Sequence, residues 1–64
     1  LVVITQISDD TKFGFSNIGV WIPFDIGIQY DALKLFDNED TASKYAAKTN
    51  LSNYTLEYIK DKYP

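Results

Sequence analysis

The chain has no cysteine, no histidine and no methionine, and all six of its basic residues are lysine. Each absence removes a class of chemistry. Without thiolate or imidazole ligands there is no set for structural zinc, haem attachment or an iron–sulfur cluster, and no cysteine or serine–histidine catalysis. Without arginine there is no planar fork for two-pronged recognition of phosphate or carboxylate. The lack of cysteine fits a reducing compartment and a bacterial or viral source. No apolar run approaches the ~20 residues of a membrane span, and no basic segment precedes a signal-like stretch. A cytoplasmic protein is therefore expected. Leu1 as the first residue points to a trimmed or processed start, or to a non-standard start codon.

What is present suits one small folded domain. Sixty-four residues, of which 45% are hydrophobic and 16% aromatic, can form a compact core built from large rings. A chain of this size buries only ~60% of its unfolded surface and reaches ~3–5 kcal/mol of stability, so there is no room for a second core. The net charge of −3 disfavours loose binding to nucleic acid or anionic lipid.

The best-specified stretch is Leu33 to Asn50. Leu33, Lys34, Leu35 and Phe36 alternate as a strand, and Asp37 stands at an N-cap position with Asp40 three residues on. Asp37, Glu39 and Asp40 place negative charge at the positive end of a helix dipole. Ala42, Tyr45, Ala46 and Thr49 then share one helical face, and Asn50 suits the left-handed stop. The helix is expected from Asn38 to Thr49 and, being short, must dock on a sheet.

Around it, Leu1 to Ile7 reads as a strand apolar on both faces, hence central. Ser8 to Lys12 is a polar turn, and Phe13, Gly14 and Phe15 complete a hairpin. Ser16 to Gly19 forms a tight turn or bulge before Val20, Trp21 and Ile22, and Pro23 ends ladder pairing. Phe24 to Tyr30 is expected as an irregular loop. Asn53 to Ile59 is a last strand with Tyr54, Leu56 and Tyr58 on one face and Thr55 and Glu57 on the other; Lys60 to Pro64 is a polar tail. The fold class is α+β: a small, mainly antiparallel sheet of three to four strands with one helix on one face, leaving the other face exposed or for a partner.

Candidate sites are few. Asp9 with Asp10, Asp25 with Asp31, and the Asp37, Glu39, Asp40 group read as turn and cap residues, since carboxylate-pair catalysis needs a cleft between them. Asp37 to Asp40 lacks the spacing of a calcium loop. Asn50-Leu51-Ser52 and Asn53-Tyr54-Thr55 match a glycosylation acceptor but are read as a helix stop and a strand start. Neither enzyme activity nor a cofactor nor a metal is expected.

Thr11-Lys12-Phe13-Gly14-Phe15 resembles the Lys-Gly-Phe-Gly-Phe core of cold-shock and related RNA-binding motifs, in which sheet aromatics stack on bases. The likeness covers five residues and lacks the glycine after Lys12. It implies a single-stranded nucleic-acid binder using Phe13 and Phe15. A second resemblance spans Leu33 to Ile59. There Leu35-Phe36-Asp37, then Ala42, Tyr45 and Ala46, then a tyrosine-rich strand are similar to the strand–helix–strand end of small phage and prophage proteins of low-GC Gram-positive bacteria. That resemblance implies a small acidic binder or inhibitor of a host protein and assigns no residues. The preferred expectation is a protein-binding module using its uncovered sheet face or a strand edge, with Phe13, Phe15, Trp21 and Tyr30 as apolar anchors. A structural subunit or homo-oligomer is the third reading.

Overall fold

A computed structural model describes residues 1–25 and 30–59, with only the backbone of Tyr30. The loop expected over Phe24 to Tyr30 thus falls partly, at 26–29, outside the described residues, as does the tail from Lys60. Four strands, β1 (Val2–Ser8), β2 (Thr11–Phe15), β3 (Trp21–Pro23) and β4 (Thr55–Tyr58), form one antiparallel sheet in the order β3-β2-β1-β4. One helix, α1 (Glu39–Lys48), packs on one face, so the fold is α+β as expected.

β1 is central for the reason its sequence suggests. Val2, Val3 and Ile4 are fully buried although consecutive side chains point to opposite faces, so both faces of this strand are covered. Each such side chain is worth about 1.5–3 kcal/mol of apolar burial. The β1–β2 turn is closed by Asp9 and Asp10, both at positive φ (52° and 65°), the backbone that a two-residue primed turn demands and that aspartate tolerates.

The register sorts the side chains. Val2 and Ile4 of β1, Phe13 and Phe15 of β2, Trp21 of β3, and Leu56 and Tyr58 of β4 share the face that carries α1. Ala42 and Ala46 bring the helix down onto Val2, Ile4, Phe15 and Phe36, with Tyr45, Leu51, Tyr54 and Leu56 packed around them. Alanine at both contact points lets the helix backbone lie close to the sheet.

Three local expectations need correction. Leu33 to Phe36 is not a strand. It makes two isolated bridges, Leu33 to Ser16 and Phe36 to Val2. The backbone N–H of Lys34 donates to Phe15 O (3.0 Å), and Phe36 and Val2 exchange bonds of 2.8 and 2.9 Å. The segment is a wedge between the splayed ends of β1 and β2, and sharing its bonds between two neighbours denies it a continuous ladder. Its side chains still alternate as expected, with Phe36 in the helix-side core and Leu33 on the opposite face.

The helix cap is Asn38 rather than Asp37. Its extended backbone (φ −154°, ψ 172°) lets its side-chain oxygen accept from Thr41 N at 2.9 Å and Thr41 Oγ1 at 3.0 Å, so the N3 residue is Thr41, not Asp40. With Phe36 held to Val2, Asp37 serves as the joint and the helix begins one residue later. At the other end Asn50 takes the left-handed conformation (φ 58°), its N–H donating to Ala47 O and that of Leu51 to Ala46 O. This is a Schellman stop, with Leu51 folded onto the core.

The third correction concerns the face opposite the helix, which is covered over its middle, while Ile7 near the end of β1 stays 71% exposed on it. Over Gly14 it carries Leu33 and Phe24. A Cβ at Gly14 would come within 2.8 Å of side-chain atoms of both. Lys12 and Glu57 close the adjoining surface with an ion pair, and the Lys12 ammonium lies 4.7 Å from the centre of the Phe24 ring. Beneath them Val3 and Thr5 are buried, and Thr5 Oγ1 donates to Thr55 O at 3.3 Å.

Candidate interaction surface

The expectation places Phe13, Phe15 and Trp21 on an uncovered face or a strand edge; the register puts all three side chains on the helix side, with Trp21 also on the edge strand β3. Phe15 belongs to the core, at 6% exposure. Its ring meets Trp21 edge-on (centroids 5.1 Å apart, planes at 73°) and Tyr45 at 6.0 Å, and Tyr45 in turn meets Phe36 at 5.3 Å. Such offset and edge contacts add about 0.5–1.5 kcal/mol per pair to the area they bury. The reason for the misplacement is that alternation separates two faces without telling which one the helix takes. Phe15 is therefore covered, which leaves Phe13, half-buried, as the exposed member of the pair a nucleic-acid reading would use. Tyr30 enters through its backbone in a single 3₁₀ turn, Tyr30–Ala32, and its side chain lies outside the described residues.

Trp21 is half-buried and sits on the edge strand β3, directly after the β2–β3 turn; its side chain points to the helix side, whereas Val20, paired with Ser16, points to the other face. Ile18 is 80% exposed and Val20 49% exposed. That turn is rigidly built: Ser16 N donates to Val20 O at 2.8 Å, Gly19 N to Ser16 O at 3.1 Å, and Val20 N to the Ser16 hydroxyl at 3.1 Å. Gly19, at φ 87°, supplies the backbone that closes it. Asn17 anchors it to the wedge, donating from its backbone to Ala32 O and from its side chain to Asp31 O. The turn meets its own backbone needs and Ile18 makes no part of the core, so Ile18 is held outward in a defined position. Sequence reasoning missed Ile18 and Val20. The available signal was a large apolar side chain between Asn17 and Gly19, where turn chemistry asks for none.

The backbone at this edge is partly blunted. Ser16 bonds Val20, and Phe24 N donates to Lys12 O, so the even-numbered residues of β3 face inward and Trp21 faces the outer edge. Pro23 has no N–H to offer, and the strand is three residues long. Side chains therefore dominate what the corner presents.

Elsewhere the described residues form no cavity able to enclose a small molecule and no group of three or more metal-ligating side chains. Lys44 pairs with Asp40 one helical turn away at 3.2 Å, with both side chains over three-quarters exposed, a solvated contact worth little. The Glu39 carboxylate beside the exposed Tyr58 hydroxyl raises the pKa of Tyr58 above the ordinary tyrosine value. No helix among the described residues is long and apolar enough to cross a membrane. Comparison with protein-family models, curated proteins and solved structures finds no match to this chain.

Proposed function

We propose that this domain is a non-enzymatic, acidic protein-binding module whose contact surface is the corner formed by Ile18, Val20 and Trp21. The observation that carries this reading is the exposure of Ile18 and Val20 in the turn that leads into the edge residue Trp21, whose ring is braced by Phe15. Ring and turn are fixed before a partner arrives, so little entropy is lost on contact, and an aromatic anchor with aliphatic neighbours is the usual composition of an interface centre. The likeness of Leu33 to Ile59 to phage proteins adds the narrower reading of an inhibitor that occupies a surface on a host protein.

The test uses the chain as bait in a nuclease-treated bacterial lysate, beside Ile18→Asp and Val20→Asp. Both positions are exposed, so circular dichroism should report an unchanged fold. The expected result is one stoichiometric protein captured by the wild type and lost with either variant. Equal capture by all three would place the contact elsewhere. Capture that vanishes with nuclease would favour a nucleic-acid-linked role.

A further inference from the structure

The opposite edge of the sheet carries a different surface, and its chemistry fits a second copy of this chain. β4 ends the sheet, and no described strand lies beyond it. The N–H of Ile59 donates to Leu1 O at 2.9 Å, so the odd-numbered residues of β4 hydrogen-bond inward to β1 and the backbone groups of Leu56 and Tyr58 face outward. Unlike β3, this edge contains no proline. Tyr58 is 67% exposed on the helix face, at the rim of the core.

We propose that two chains associate through their β4 strands, antiparallel about a two-fold axis at Leu56, to form one continuous eight-stranded sheet.

The sequence around that axis is self-complementary. Leu56 faces its own copy, and Tyr54 and Tyr58 face each other's copies, giving an apolar ladder on the helix side. On the other side Thr55 stands opposite Glu57 of the second copy, a polar pair without like charges. The register shifted by one step towards the C-terminus would set Glu57 against Glu57, which cross-strand electrostatics disfavours.

The helices supply a second, independent match. α1 begins beside Tyr58, close enough for Glu39 to act on its hydroxyl, and ends near the start of β4, where the Gln6 amide donates to Ser52 O at 3.0 Å. It therefore runs antiparallel to β4, with Glu39 and Asp40 in its first turn and Lys48 in its last. A two-fold at Leu56 brings the acidic start of one helix towards the basic end of the other, so charge and dipole both favour the pairing. This inference is independent of the corner at Ile18 and Trp21, which lies on the far edge of the sheet.

Sedimentation of the full chain over a concentration series tests it. The expected result is a reversible shift from the 7.3 kDa chain to twice that mass. Thr55 is exposed, so its variants read the interface without disturbing the core. Thr55→Lys should tighten the dimer and Thr55→Glu weaken it, each by roughly three- to tenfold, because each change acts twice across the axis. Tyr58→Lys should weaken it further, with the monomer's circular dichroism retained. A single monomeric species up to about 1 mM would overturn the proposal. So would a dimer that responds equally to Thr55→Lys and Thr55→Glu, or one abolished by Val20→Asp.

Discussion

The two faces of the sheet are both covered over the middle of β1, but by different means. On one, α1 lays Ala42 and Ala46 against Val2 and Ile4, and a chain of rings from Trp21 through Phe15 and Tyr45 to Phe36 fills the space beside it. On the other, among the described residues, no helix or strand is involved: Leu33 from the wedge and Phe24 from beyond Pro23 cover Gly14, next to the Lys12–Glu57 pair. The first cover is a regular element with a periodic apolar stripe. The second consists of isolated side chains delivered by irregular backbone, and it needs a residue without a Cβ beneath it. A 64-residue chain can thus bury both sides of a central strand with one helix.

The helix-covered face should be the more sensitive. Ile4→Ala removes a fully buried side chain and should cost about 2–5 kcal/mol. Against a total of roughly 3–5 kcal/mol for a domain this small, that is enough to leave much of the population unfolded, as a urea titration followed by Trp21 fluorescence would register. On the other face Leu33→Ala should also destabilise, at about 2–3 kcal/mol, because single side chains on irregular backbone can close over the gap more readily than a helix can. Equal losses at Ile4 and Leu33 would mean that the two covers are equally rigid.

Much of the helix-covered face was legible in the sequence, and the reasons are physical. Ala42, Tyr45 and Ala46 recur at helical spacing, Val2 and Ile4 alternate, and the Leu56 strand does the same, so each element announces its buried side. The cover on the opposite face was not legible, since Phe24 follows a proline in a segment without periodicity and Leu33 belongs to a run too short to reveal that it would be shared between two strands. The same wedge displaced the cap from Asp37 to Asn38. Of the residues weighed as anchors, Trp21 could be read as an edge aromatic and Phe15 could not be assigned a face, while the exposed Ile18 carried no pattern at all.

Smaller effects refine the comparison at the helix start. Asn38→Ala removes the acceptor for Thr41 N and should cost about 1 kcal/mol, whereas Asp37→Ala should cost less, since Asp37 is not the cap. Paired thermal melts distinguish the two. The smallest effect is on titration. The Glu39 carboxylate favours the neutral phenol of Tyr58, so Tyr58 should ionise above the ordinary tyrosine range. Because the folded pKa is the higher one, this contribution is present below the ordinary value and lost as pH rises through the folded one. Phenolate absorbance should therefore develop earlier in Glu39→Gln than in the wild type; coincident curves would remove the contact.

The claim that the middle of the face opposite the helix is covered rests most directly on Gly14, and the thermal melt of Gly14→Ala tests it with opposite signs. The backbone there has no positive φ, so alanine is tolerated by conformation alone, and on an open strand the change should stabilise by about 0.5–1 kcal/mol. Under Leu33 and Phe24 the new methyl group has no room, and overpacking should cost about 1–3 kcal/mol. At about 4–8 °C per kcal/mol for a domain of this size, the account predicts a clearly lowered melting temperature. A raised one would contradict it and return the face opposite the helix to the surfaces available for a partner.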